Sequence, residues 1–400
     1  MPLLDDYCEA LQLHDSIRLG LLVHRTLTDN SSSVSRSTPL DITRRIESAA
    51  AIAPTHSYTP QQTTIHVRVV TALFTHDKLK TIRELGRGLS ADPPLFIPAA
   101  VIAVRGVLRR NEMDLNLDLD MNLDLDLDKT AEALQVPLSA AIGVLALSSS
   151  KDSSKSNTVP PATVAAIHVF AGVLLGTHAR TGHWAAAEAL VKVLRGALPN
   201  TKSTKSNGIT REAIPGAVAA YLYGVARTQT RGGGRLEWNA AYETLMRATM
   251  QTPHGEALHW KLLFLLLPLR ALMNGTLPKP EVLLNSSSPL LVVLTPLFDA
   301  LRRLDAFKYA ALLESDPLIR RVLLQGGVAA LYEQLRTPLA LRIVKACAEE
   351  LQSHILPLPV LRAVGVAEAD VAALVATGAV RGYVAHTQQA LVLSKRAPWG

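Results

Sequence analysis

Four hundred residues, 48% hydrophobic and only 19% charged, are enough to bury one or more cores without help from disulfides or metals. The two cysteines, Cys8 and Cys347, lie far apart and fit no CxxC or Cys/His spacing, which excludes a disulfide framework and a zinc-finger pattern and points to buried or free thiols in a reducing compartment. The formal charge is +7: residues 1–210 hold 21 Lys+Arg against 20 Asp+Glu, and residues 211–400 hold 20 against 14, so a polyanion would meet the second half.

The chain opens MPLLDDYCEA, with acids where an export signal would carry positive charge. The longest strongly apolar run, residues 262–269, contains Pro268 and is framed by Lys261 and Arg270. It is far shorter than the roughly 20 residues of a membrane span, so a soluble protein with no membrane partner is expected. With aromatics at only 4% and Leu, Ala and Val at helical spacing, the fold class expected is mostly α.

The first region, residues 1–161, is helical by apolar spacing, as at 79–89 and 99–108, with polar or low-complexity insertions at 28–39, 113–128 and 148–161. Residues 199–207 (PNTKSTKSN) are a further polar stretch. In the run MDLNLDLDMNLDLDLD at 113–128, Leu or Met alternates with Asp or Asn. Literal alternation means a strand, but Asp and Asn disfavour strands and six Asp repel one another, so a low-complexity insertion is the preferred reading. A calcium loop would need the Gly turn and distal Glu that this run lacks.

Residues 162–295 read as a helical-repeat array of the tetratricopeptide type. AAIHVFAGVLLGT (165–177) and WAAAEALVKVL (184–194) form one hairpin, and AVAAYLYGVAR (217–227) with WNAAYETLMRATM (238–250) a second. In the second, Gly224 and Ala241 permit close approach, and Tyr221, Tyr223, Leu245 and Met246 fill the space. HWKLLFLLLPLRALM (259–273), apolar nearly all round, belongs at the centre of the stack, where Pro268 should kink or open it.

Residues 296–400 complete the chain. Helices are expected over 322–336 and 338–352, then two short amphipathic segments, 357–366 and 367–380, the second starting with acids and ending at Gly378. Residues 380–386 and 390–395 are β-prone and joined by Thr387-Gln388-Gln389, a hairpin. Two helices and a terminal hairpin make a winged helix, which presents one helix and a wing to nucleic acid.

The runs LLFLLLPLRALMNGTLPKPEVLL (262–284), FDALRRLDAFKYAALLE (298–314) and TGAVRGYVAHTQQALVLSKRAPWG (377–400), with YLYGVAR and AAYETLMRATMQTP before them, resemble PCI-domain proteins of the nuclear mRNA export complex and the similar twelfth subunit of the COP-nine signalosome. The resemblance covers about residues 162–400; the glycines at 232–234, the serines at 286–288 and the Asp/Leu repeat depart from it. It implies a TPR-like solenoid ending in a PCI module with a winged helix. It further implies a larger PCI scaffold as partner, a small acidic proteasome-lid-type subunit bracing one of the paired winged helices, and a joint basic surface for RNA or DNA. Nuclear localisation, at the pore and with a cytoplasmic pool, follows from it. The alternative it carries is a protein-binding subunit of a signalosome-like or splicing-associated assembly.

The nucleic-acid candidates are Arg381, Lys395, Arg396, Arg320, Arg321, Arg342 and Lys345, with Arg302, Arg303 and Lys308 behind them. Each could contact phosphate or lie on a solvated face or in a salt bridge. Lys395 and Arg396 at the wing and Arg381 before it are favoured, because a wing reaches outward. Tyr383 is expected in the core, and His386 to touch a base or water. No GxSxG, HExxH, Walker A or GxGxxG motif occurs, and the twelve histidines are scattered, so no enzyme, metal or cofactor is expected.

Overall fold

The computed structural model describes residues 2–28, 38–54, 56–75, 77–113, 127–150, 161–198, 217–230, 235–250, 252, 257–279, 283, 289–326 and 328–400. Most of the polar insertions, the Asp/Leu repeat, 199–207, the glycines at 232–234 and the serines at 286–288 lie outside the described residues. The described chain is mostly helical, with one small antiparallel sheet at its C-terminal end. By contacts it forms two compact units, residues 1–225 and 226–400, which divide inside one helix.

The first unit contains α1 (Pro2–Gln12), α2 (Ser16–Thr28), α3 (Pro39–Ile52), α4 (Pro60–Phe74), α5 (Lys78–Ala91), α6 (Pro93–Met113), α7 (Leu127–Ser150), α8 (Pro161–Thr181), α9 (Trp184–Ala197) and the first part of α10 (Ala217–Thr230). Local chemistry starts them. Proline opens α3, α4, α6 and α8, where its missing N–H costs nothing. At α4, Thr59 Oγ1 accepts from Gln62 N at 3.3 Å and Gln62 Oε1 from Thr59 N at 2.7 Å, a reciprocal cap. Asp77 Oδ1 caps α5 through Lys80 N at 2.9 Å.

α1 packs on both α2 and α3, α3 on α4, α4 on α5, and α5 on α6 and α7, while α8 packs on α6, α7 and α9 and α2 runs along α6. Glycine sets the closest approaches: a Cβ on Gly86 would lie 2.7 Å from Pro137 N of α7, and one on Gly88 2.6 Å from the Phe96 ring of α6. Two helices, over 127–147 and 162–181, are long and apolar enough to cross a membrane, which a search for one uninterrupted apolar run overlooks. Within the unit α8 is a core helix, with 72% of its apolar window buried, and α7, which packs on both α8 and α5, buries Leu134, Leu138 and Ala141. α8 and α9 pair as the expected hairpin.

A Cβ on Gly224 in α10 would lie 2.8 Å from Leu175 of α8, and the Tyr221 ring lies against His168 at 5.2 Å. In the second unit α11 (Arg235–Met250) packs along α12 (Ala257–Asn274), with Ala241 and Leu245 fully buried.

α12 is largely buried, through Leu262, Phe264, Leu265 and Leu269 among others, and α13 (Pro289–Arg303), α14 (Ala306–Ser315), α15 (Pro317–Gly326), α16 (Ala329–Gln334) and α17 (Arg336–Leu351) follow. The helix expected over 322–336 is divided into α15 and α16. Gly326, the last residue of α15, lies against the Phe264 ring, where a Cβ would come within 2.5 Å of its edge, and Val328 (φ −119) precedes α16 outside helical geometry. Tyr332 then ties the elements together, its hydroxyl donating to Phe264 O at 3.2 Å and its carbonyl accepting from the Tyr309 hydroxyl at 2.7 Å. Burial pushes both phenols well above their ordinary pKa, so they act as neutral donors.

Candidate nucleic-acid and partner interface

After α17 come β1 (Ile355–Pro357), α18 (Leu358–Ala363), α19 (Glu368–Ala376), β2 (Gly382–Ala385) and β3 (Ala390–Leu393). The strands form an antiparallel sheet in the order β1-β3-β2. β2 and β3 are the expected hairpin, with Gln389 left-handed (φ 47) in its turn; β1 was unforeseen, because a three-residue strand carries too little pattern to read. The acidic start of α19 is a half-box, Ala367 N donating to Asp370 Oδ2 at 3.0 Å, and Gly378 (φ 74) ends it as expected.

The ladder sorts side chains into two faces. Leu356, Leu391 and the half-buried Val384 stand opposite one another on the inner face, where Leu356 and Leu391 join Leu358, Leu361, Val371 and Leu374 in the module's core. Ile355, Val392 and Tyr383 form the corresponding row on the other face. There Ile355 is 44% and Tyr383 61% exposed. Tyr383 is therefore not a core residue: strand parity gives the inner position to Val384.

Arg381, Lys395 and Arg396 are exposed, and among the described residues none has a carboxylate within ion-pairing reach. Their position differs from the expected one. The hairpin tip is 386–389, whereas Ser394 N donates to Arg381 O at 2.8 Å, so these three cations gather at the hairpin's open base. The C-terminal tail crosses the same place, Arg381 N donating to Pro398 O at 2.8 Å and Val380 bridging Trp399. At the tip, the exposed His386 is held 3.1 Å from Glu368, which also takes Arg362 at 2.8 Å.

Other candidates are engaged. Lys345 is half-buried with its ammonium 5.1 Å from the centre of the Trp399 ring, a cation–π contact. Arg342 donates to Leu301 O at 3.2 Å, and Arg302 pairs with Asp299 and donates to Pro278 O at 2.6 Å. Arg320 and Arg321 line a shallow hollow with Glu314, Ser315, Pro317 and Leu324, apart in sequence and element from the hairpin base. Arg303 and Lys308 are exposed. Both cysteines are free and half-buried.

Comparison of the chain with protein-family models and with curated proteins finds no match.

Proposed function

We propose that the chain is a non-enzymatic PCI-type scaffold subunit of a nuclear, transcription-coupled mRNA export complex, its helices stacked as a TPR-like array and its end a winged helix. The observation that supports this reading is the order helix, strand, helix, helix, strand, strand over 336–400 with strand order β1-β3-β2, the order expected of a winged helix. The apolar row Ile355, Val392 and Tyr383 fits docking to a larger PCI partner, and a small acidic subunit would brace the pair. Arg381, Lys395 and Arg396, at the base of the same sheet, would hold RNA or DNA phosphates jointly with that partner. Function then lies in the nucleus, at the pore, with a cytoplasmic pool.

Changing Arg381, Lys395 and Arg396 together to Glu tests the phosphate role. With the partner present, the log–log salt slope of RNA or DNA binding should shrink by about 2–3, the share of three phosphate contacts. An unchanged affinity and slope in the folded triple variant would falsify it.

A second reading, a protein-binding subunit of a signalosome-like or splicing-associated complex without nucleic acid, is favoured by one observation. The last helix, α19, offered to a groove in a winged helix, carries Glu368 and Asp370 in its first turn and no Lys or Arg. Affinity purification from nuclear extract separates the two. An export scaffold with pore components supports the first, and signalosome subunits without nucleic acid support the second.

A further inference from the structure

Three helix junctions of the first unit meet at His14, His56 and Asp92. His14 sits in the α1–α2 turn with a left-handed backbone (φ 51), His56 in the segment leading to α4, and Asp92 between α5 and α6. His14 Nε2 lies 3.0 Å and His56 Nε2 3.6 Å from the same oxygen, Asp92 Oδ2, and the three candidate donor atoms all fall within 4.8 Å of one another. Tetrahedral ligands at the 2.0–2.1 Å of zinc–nitrogen and zinc–oxygen bonds stand about 3.3 Å apart, the mean of those two separations.

The frame that holds them is made elsewhere. Tyr58 donates its hydroxyl to Leu11 O at 2.8 Å, joining the His56 segment to the end of α1. Gln62 Nε2 donates to Ala91 O at 3.0 Å, joining the start of α4 to the end of α5. Asp92 is fixed by its N–H to Gly88 O at 2.9 Å and by its carbonyl, which accepts from Phe96 N at 3.0 Å. Its side chain is only 3% exposed.

A hydrogen-bonded His–Asp pair accounts for His14 alone. It leaves His56 Nε2 sequestered from solvent without a hydrogen-bond partner, beyond hydrogen-bond reach of a carboxylate that is already occupied, and with the two imidazole rings 4.3 Å apart. A divalent cation resolves this: it takes a lone pair from each imidazole and neutralises the buried carboxylate. His14 and His56, 21% and 31% exposed, leave an approach from solvent.

We propose that His14, His56 and Asp92 form a three-ligand site for a divalent transition-metal ion of the zinc type, clasping three helix junctions and leaving a coordination position to water. It is independent of the C-terminal interface and of the function assigned to it. Full-length protein stripped with chelator is titrated near neutral pH with Co2+ as the spectroscopic probe, then with Zn2+. One equivalent of Co2+ should bind with visible d–d bands, Zn2+ should displace it, and Zn2+ should raise the thermal midpoint. His56→Gln should weaken Co2+ by more than the roughly 10–100-fold that loss of an outer-shell partner costs, while His354→Gln, in the other unit, should not. Asp92→Asn should do the same as His56→Gln, and if it fails to fold, His56→Gln decides. Absence of saturable Co2+ binding by the unaltered chain, or equal binding by folded His56→Gln, overturns the site.

Discussion

His66 has the most consequential protonation behaviour among the described residues. Its ring is stacked on Phe96 at 4.9 Å and its Nδ1 is hydrogen-bonded to the Tyr7 hydroxyl at 3.0 Å. Burial, aided by the neighbouring imidazoles of His14 and His56, pulls its pKa from 6.5 down to about 3. As pH falls through 6.5 the unfolded chain takes up this proton and the folded one does not. The stabilisation is complete above about pH 6.5 and is lost progressively towards pH 3, by up to about 1.4 kcal/mol per pH unit. His168, lowered by burial, adds to the same slope. Unfolding free energies from urea titrations at pH 7 and pH 5 should therefore differ by about 2 kcal/mol for His66 alone, and His66→Asn should flatten most of that difference at some cost to overall stability. A slope unchanged in the variant would show that other groups carry it. In the second unit, Tyr332→Ala should cost about 3–5 kcal/mol, since it removes a fully buried ring as well as the hydrogen bond to Phe264 O, whereas Tyr332→Phe should cost about 1 kcal/mol; chemical denaturation distinguishes them.

Among elements, glycine discriminates contact from exposure. Gly86→Ala gains about 1 kcal/mol of helix propensity but drives a methyl into the backbone of Pro137, so a net loss of about 1–3 kcal/mol is expected. Gly196→Ala in α9 meets nothing within 4 Å and should stabilise by up to about 1 kcal/mol. Opposite signs in parallel urea titrations check both the α5–α7 packing and the open face of α9. Periodicity made α8, α9, α11 and α12 legible as helices, and acids before AALVATG marked α19. The short strand β1 was not legible, because it is imposed by a distant partner, β3, and neither was the close approach of the Phe264 ring that keeps a side chain off Gly326.

For the molecule as a whole, the exposed sheet row and the free cations of the C-terminal module should be separable. Tyr383→Glu puts a charge in the middle of the proposed docking face without touching the core, so it should abolish capture of a larger partner while leaving the thermal midpoint within about 1 °C, surface substitutions being close to neutral. Loss of capture with a preserved fold supports the docking face; undiminished capture removes it. The sequence by itself determined the mostly helical class, the terminal hairpin and the basic bias of the second half, because periodicity, turn chemistry and charge are local. Only tertiary structure decided that Tyr383 faces outward, that Lys345 is occupied by Trp399, that Arg381 lies beside Ser394 at the hairpin base, and that His14, His56 and Asp92 converge. Each of those facts depends on which distant segments the buried apolar surface brings together, and nothing in the spacing of residues 14, 56 and 92 records it.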